Sequence, residues 1–184
     1  MKPKMMVFMG GQGSGKGTFA NLMIKQHDYK YIELGGILRQ MPADSELSKK
    51  MSRGELVADE DLFPIVSDQL STNQDIIMDG FPRTLGQAKW LIDNYADKFD
   101  IQILFLDISE QTMFAHIQKR LSEGGGRKDD ADDVVVQRRI AAFKTTTMPA
   151  IQWLQTVPNI TFYDLKLPSD DIDINFAYIM KNIG

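Results

Sequence analysis

Cysteine is absent from the 184 residues, which removes disulfides, thiolate zinc sites and cysteine nucleophiles together and is compatible with a reducing compartment. Histidine is nearly as scarce. His27 and His116 stand without a second ligand at metal spacing, so no zinc is expected and neither is assigned a role. No window approaches the roughly 20 apolar residues needed to span a bilayer, and the stretch Met5 to Met9 is too short for a secretory signal. A cytoplasmic protein with no membrane partner is expected. Positive charge is also in deficit: 21 Lys and Arg against 25 Asp and Glu leave a net charge of -4. That argues against nucleic-acid binding while allowing a local basic pocket. Repeats and linkers are missing too, so residues 1–184 read as one domain. Trp90, Trp153 and the eleven methionines read as packing.

What is present is alternation. Short apolar runs recur at Met5 to Met9, Tyr29 to Ile32, Asp75 to Met78, Ile101 to Asp107 and Ile160 to Tyr163, separated by helix-like segments. Strands alternating with helices imply parallel neighbours joined by crossovers, with helices covering both faces. The expectation is a three-layer α/β domain on a five-stranded parallel sheet. Between Pro42 and Gln69 the pattern is helical with no strand, which reads as an arm of the same domain.

The first apolar run leads into Gly10-Gly11-Gln12-Gly13-Ser14-Gly15-Lys16-Gly17-Thr18, followed at once by a helical pattern. Glycines let the backbone curl so that its N–H groups point at phosphate oxygens, and the following helix presents its positive end. Lys16 adds a full charge that can follow the γ-phosphate through transfer. Strand, loop, lysine and helix in this order form a P-loop, and they assign Gly13, Ser14, Gly15, Lys16, Gly17 and Thr18 to ATP. One departure stands out. The usual pattern places Ser or Thr directly after the lysine to ligate magnesium, whereas here Gly17 intervenes before Thr18.

That Gly-Lys-Gly-Thr ending, together with Asp79-Gly80-Phe81-Pro82-Arg83, resembles the adenylate kinase family of nucleoside monophosphate kinases, and the resemblance covers nearly the whole chain. It implies that Asp79 holds Mg2+ through water and that Arg83 grips the acceptor phosphate. Arg127-Lys128-Asp129-Asp130, with Arg138 eleven residues after Arg127, is similar to the family's short lid and following helix. The implied catalytic set is Lys16, Arg83, Arg127 and Arg138. Guanidinium forks suit this chemistry because the migrating phosphoryl group needs cations around its equatorial oxygens. On the helix from Asp132, Arg138 lies about 200° from the apolar Val136 and so faces away from the core, and neighbouring Arg139 reads as a solvated charge. Arg120, before the lid, corresponds to an arginine near the ATP base and phosphates, although Lys119-Arg120 also suits a helix C-terminus.

On the acceptor side Glu33-Leu34-Gly35-Gly36-Ile37-Leu38-Arg39 resembles the family's Thr-Gly-Asp-x-x-Arg segment with two departures. Leu34 replaces Thr, and Gly36 replaces an Asp whose carboxylate serves near magnesium, leaving more of that task to Asp79. The resemblance assigns Leu34, Arg39, Glu55, Leu56, Val57, Gly80, Phe81, Pro82, Arg83, Gln87, Arg127 and Arg138 to AMP. Gln87 lies four residues after Arg83, the family spacing for a glutamine that pairs with adenine. Its alternative is a solvated residue on a helix buried through Leu85, Ala88, Leu91 and Ile92. The activity implied is Mg-dependent, reversible transfer from ATP to AMP by a monomer, with an acceptor arm at about 33–58 and a lid at about 121–131. Two other readings stay open: a kinase for UMP, CMP or GMP, suggested by Leu34, and a low-turnover nucleotide-binding regulator, suggested by Gly36.

Overall fold

Lys4–Met9 forms β1 at the centre of the sheet, and its composition explains the position. A strand with parallel neighbours on both sides and helices above and below has two buried faces, so it carries a continuous apolar run instead of an alternating one. Met5, Val7 and Met9 point into one core with Ile76, Met78, Ile101 and Ile103. Met6 and Phe8 point into the other with Ile77, Leu104 and Leu106. The computed structural model describes residues 2–53, 55, 57–70, 73–124 and 131–184.

The elements run α1 Lys16–Ile24, β2 Lys30–Glu33, α2 Leu34–Arg39, α3 Glu46–Ser52, α4 Asp59–Gln69, β3 Ile76–Asp79, α5 Leu85–Tyr95 and β4 Asp100–Asp107. There follow α6 Glu110–Ser122, α7 Asp133–Ala142, a π-helical segment Phe143–Thr147, α8 Met148–Leu154, β5 Thr161–Lys166 and α9 Ile172–Ile183. All strand pairings are parallel and the order is β2-β3-β1-β4-β5, the five-stranded P-loop α/β sheet expected. From β1 the chain goes outward to β2, and from β3 it crosses to β4 on the other side. The strand order therefore reverses beside β1, which opens a crevice at the carboxyl ends of the strands.

Local chemistry sets the helix starts. Thr84 caps α5 by accepting from the Gln87 N–H, Ser109 caps α6, and Asp132 and Asp171 each accept two N–H groups at the starts of α7 and α9. The strandless excursion divides in two. Its second helix, α4, buries Leu62 and Val66 in the same core as Ala88 and Leu91 of α5, so this half belongs to the body of the domain.

The helix from Asp132 does not carry one continuous stripe. Val136 and Ile140 pack on Met113 and Ile117 of α6, whereas Ile151 and Leu154 enter the core beneath the sheet. Between them lies the π-helical segment. Pro149 has no N–H to continue the ladder, and one widened turn accommodates the gap while rotating the second half onto a new neighbour. Among the described residues, no helix is long and apolar enough to cross a membrane.

Candidate active site

A cavity of about 430 Å³ opens at the carboxyl end of the sheet, lined along one wall by the loop from Gly10 to Thr18. Gly15 takes the position before α1 with φ 88, the left-handed conformation that favours glycine, and no side chain caps the helix there. The N-terminal end of α1 therefore meets the cavity without a side-chain cap, the arrangement that suits an anion. The Lys16 ammonium curls back over the loop and donates to Gly10 O at 2.8 Å, Gly11 O at 2.9 Å and Ser14 Oγ at 3.3 Å. Gly17 stands where a Cβ would lie 3.6 Å from the Tyr31 hydroxyl and 3.7 Å from Asp79 Oδ2, so the loop passes directly over the end of β3.

Asp79 closes β3, one residue beyond the expected strand end, and is 6% exposed. Its Oδ2 accepts from the Tyr31 hydroxyl at 3.3 Å, and its strand partner in register is Glu33 at the end of β2. Among the described residues no three His, Cys, Asp or Glu gather as a metal cage. One buried carboxylate beside a phosphate loop suits a magnesium ion that keeps most of its water and is held chiefly by nucleotide phosphates.

The opposite wall carries Arg39, Glu55 and residues 80–83. Arg83 Nε donates to Gly80 O at 2.9 Å. Arg39 lies against Glu33, Nη2 to Oε1 at 2.5 Å, and this pair sits over the glycines of α2. A Cβ at Gly36 would come within 2.8 Å of Glu33 Oε2. The Glu33 carboxylate thus occupies the space beside Gly36. Glu55 is paired with Arg53, whose hydrogen bonds hold its carboxyl below the ordinary value. Leu34, Val57 and Gln87 line a smaller cavity of about 30 Å³ with Gly80 and Arg83. Leu56 and Arg127 lie outside the described residues.

Gln87 is not the solvated residue of the alternative reading: it is 1% exposed, with its oxygen and nitrogen both engaged by the protein. Of the two neighbouring arginines of α7, one lies otherwise than expected and the other is exposed as expected. Arg139, read as a solvated charge, lines the main cavity with Lys119 and Arg120. Arg138 is exposed and donates through Nη1 to Arg53 O at 2.5 Å, which ties α7 to the acceptor side. Two further residues, assigned no role from the sequence, line the cavity. His116 Nδ1 lies 2.9 Å from Gly13 O, and Thr147 donates to Arg83 O at 2.9 Å from within the π-helical segment. A residue without a local motif carries no signal of such distant contacts, except that Pro149 marks the irregular turn that supplies Thr147.

Comparison with known proteins agrees with this geometry. The family model described as adenylate kinase matches residues 8–158. An adenylate kinase of Prochlorococcus marinus subsp. pastoris is 35% identical, the match covering 95% of this chain and 98% of the relative. One from a Synechococcus species is 34% identical over 88% of this chain and 83% of the relative. Adenylate kinase isoenzyme 1 of Cyprinus carpio is 27% identical over 98% of this chain and 94% of the relative.

Proposed function

Because the chain belongs to the adenylate kinase family, we propose that it catalyses the reversible transfer of the terminal phosphoryl group of ATP to AMP, giving two ADP. One observation carries this: the phosphate loop and the Arg39 and Arg83 side chains face a single cavity, so donor and acceptor phosphates can meet without a protein intermediate. An oxygen of the acceptor phosphate attacks the γ-phosphorus in line, and the ADP oxygen leaves. Lys16 and the loop N–H groups hold the β and γ phosphates, while Arg39 and Arg83 hold the acceptor phosphate. Magnesium carried with ATP would be oriented by Asp79 through water and would offset the charge of the phosphate chain. Residues 33–58 serve as the acceptor arm and 121–131 as the lid, whose closure excludes water that would otherwise hydrolyse ATP. The setting is a cytoplasmic monomer working on free nucleotides.

A coupled assay of ADP formation tests the acceptor. AMP is expected to exceed GMP, UMP and CMP by at least about tenfold in kcat/KM, equivalent to about 1.4 kcal/mol. Gln87→Leu should lose much of that preference. Equal or better turnover of another nucleotide by the wild-type chain would overturn the assignment to AMP.

Arg138 is expected to act on the migrating group, since α7 carries it on the face turned away from the core. Arg138→Met should depress kcat much more than it raises the KM for ATP, because guanidinium contacts to that group strengthen as the transition state forms. A pure KM effect would remove it from the chemical step.

A further inference from the structure

We propose that Asp59 is a positioning residue that fixes which way round the Gln87 carboxamide is presented, and so selects adenine over guanine in the acceptor; this rests on Gln87 meeting the acceptor base. Gln87 Oε1 accepts from the Arg83 backbone N–H at 2.7 Å, and Gln87 Nε2 donates to Asp59 Oδ1 at 2.8 Å. Neither bond can be reversed. A backbone N–H only donates and a carboxylate only accepts, so the amide has one orientation that satisfies both. Turning it over would set its NH2 against the Arg83 N–H and its oxygen against the carboxylate, inside a region where Gln87 is 1% exposed.

Asp59 is itself seated with care. It lies in the first turn of α4, and Thr84 Oγ1 is 3.4 Å from each of its oxygens. The same Thr84 oxygen caps α5 by accepting from the Gln87 N–H at 3.0 Å. A Cβ at Gly86 would come within 2.7 Å of Asp59 Oδ2, so only glycine lets the carboxylate rest on the start of α5. Asp59, Thr84 and Gly86 together hold one side chain, Gln87, against the small cavity that it shares with Leu34, Val57 and Gly80. That cavity of about 30 Å³ adjoins the main one, since Gly35, Glu55, Gly80 and Arg83 line both.

The consequence is chemical. After these two bonds the carboxamide retains one N–H and one oxygen lone pair, a donor beside an acceptor. Adenine offers its N6 amino group as donor and a neighbouring ring nitrogen as acceptor, and pairs with both. In the same ring pose guanine presents the O6 acceptor where adenine has a donor, and the N1–H donor where adenine's N1 accepts. A guanine acceptor therefore demands the reversed amide, which Asp59 and the Arg83 N–H both oppose. Asparagine at 59 could turn its own amide to accept or to donate, and so would remove one of the two bonds that hold this orientation.

The test compares kcat/KM for AMP and GMP in the wild type, Asp59→Asn, Gln87→Leu and the double variant, with thermal melting of each. The AMP to GMP ratio should fall at least about tenfold in Asp59→Asn, and adding Asp59→Asn to Gln87→Leu should change the ratio no further. A merely structural Asp59 would lower both acceptors together with the ratio intact, and that result would overturn the proposal. If Asp59→Asn does not fold, Gly86→Ala, which pushes the carboxylate off α5, should give the same fall in ratio; an unchanged ratio there has the same negative meaning. A wild-type chain without preference for AMP overturns the acceptor reading and this proposal with it, and is seen before any variant is made.

Discussion

Lys16→Ala is expected to remove most turnover while leaving the fold standing. The ammonium touches Gly10 O, Gly11 O and Ser14 Oγ, all within the loop, and it buries nothing in either core. Its loss leaves loop carbonyls that border an open cavity and can be hydrated, so the stability cost should be about 1 kcal/mol. The rate cost is larger. With nucleotide in place the ammonium can exchange those neutral carbonyls for β and γ phosphate oxygens, where charge grows as the phosphoryl group moves. Removing one such preorganised cation costs several kcal/mol of transition-state stabilisation, on the order of a hundredfold or more in kcat. A coupled assay with a parallel melt separates the two effects. Near wild-type kcat in a folded Lys16→Ala would sink the phosphate-loop assignment.

The parts of this site that could be read from sequence are those whose chemistry is local. Residues 10–18 carry strand, loop, cation and helix within one contiguous stretch, and the structure places them together as that order requires. The sheet was legible for a similar reason: burial on both faces leaves apolar runs that need no partner to be recognised. Strand ends were less exact: Asp79 falls inside β3, where its backbone pairs in register with Phe8 and Glu33.

The remainder depends on partners distant in sequence. Helical periodicity gave α5 an apolar face without Gln87, and nothing near it announced Asp59, 28 residues earlier, as the group that allows a carboxamide to be buried. Arg138 and Arg139 are adjacent, and that Arg139 reaches the cavity turns on how α7 packs against α6. Gly36 has a carboxylate beside it that its own position does not announce. The Glu33 carboxylate occupies the space over that glycine, a relation between two residues that a position-by-position comparison does not contain.

Gly13→Ala should be the most damaging single-methyl change in the loop. Gly13 has φ +83, where a Cβ is strained, and that Cβ would stand 2.6 Å from the carbonyl oxygen of Met113 and 3.3 Å from Ile117 Cγ1. The first contact is with the backbone of α6, which cannot swing aside as a side-chain end can. Either the loop lifts or α6 shifts, and α6 holds Met113 and Ile117 against Val136 and Ile140 of α7. Left-handed strain and overpacking each cost roughly 1–3 kcal/mol, so about 3 kcal/mol together is expected. For a chain of this size that lowers Tm by roughly 6–12 °C. ATP binding should weaken as well, because a lifted loop no longer aims its N–H groups at one point. Gly17→Ala is the internal control. Its Cβ would meet nothing nearer than 3.6 Å, so its melting temperature should stay within about 2 °C of wild type. Calorimetry of both variants decides the matter: equal shifts would mean that the Gly13 approach to α6 is not what fixes the loop.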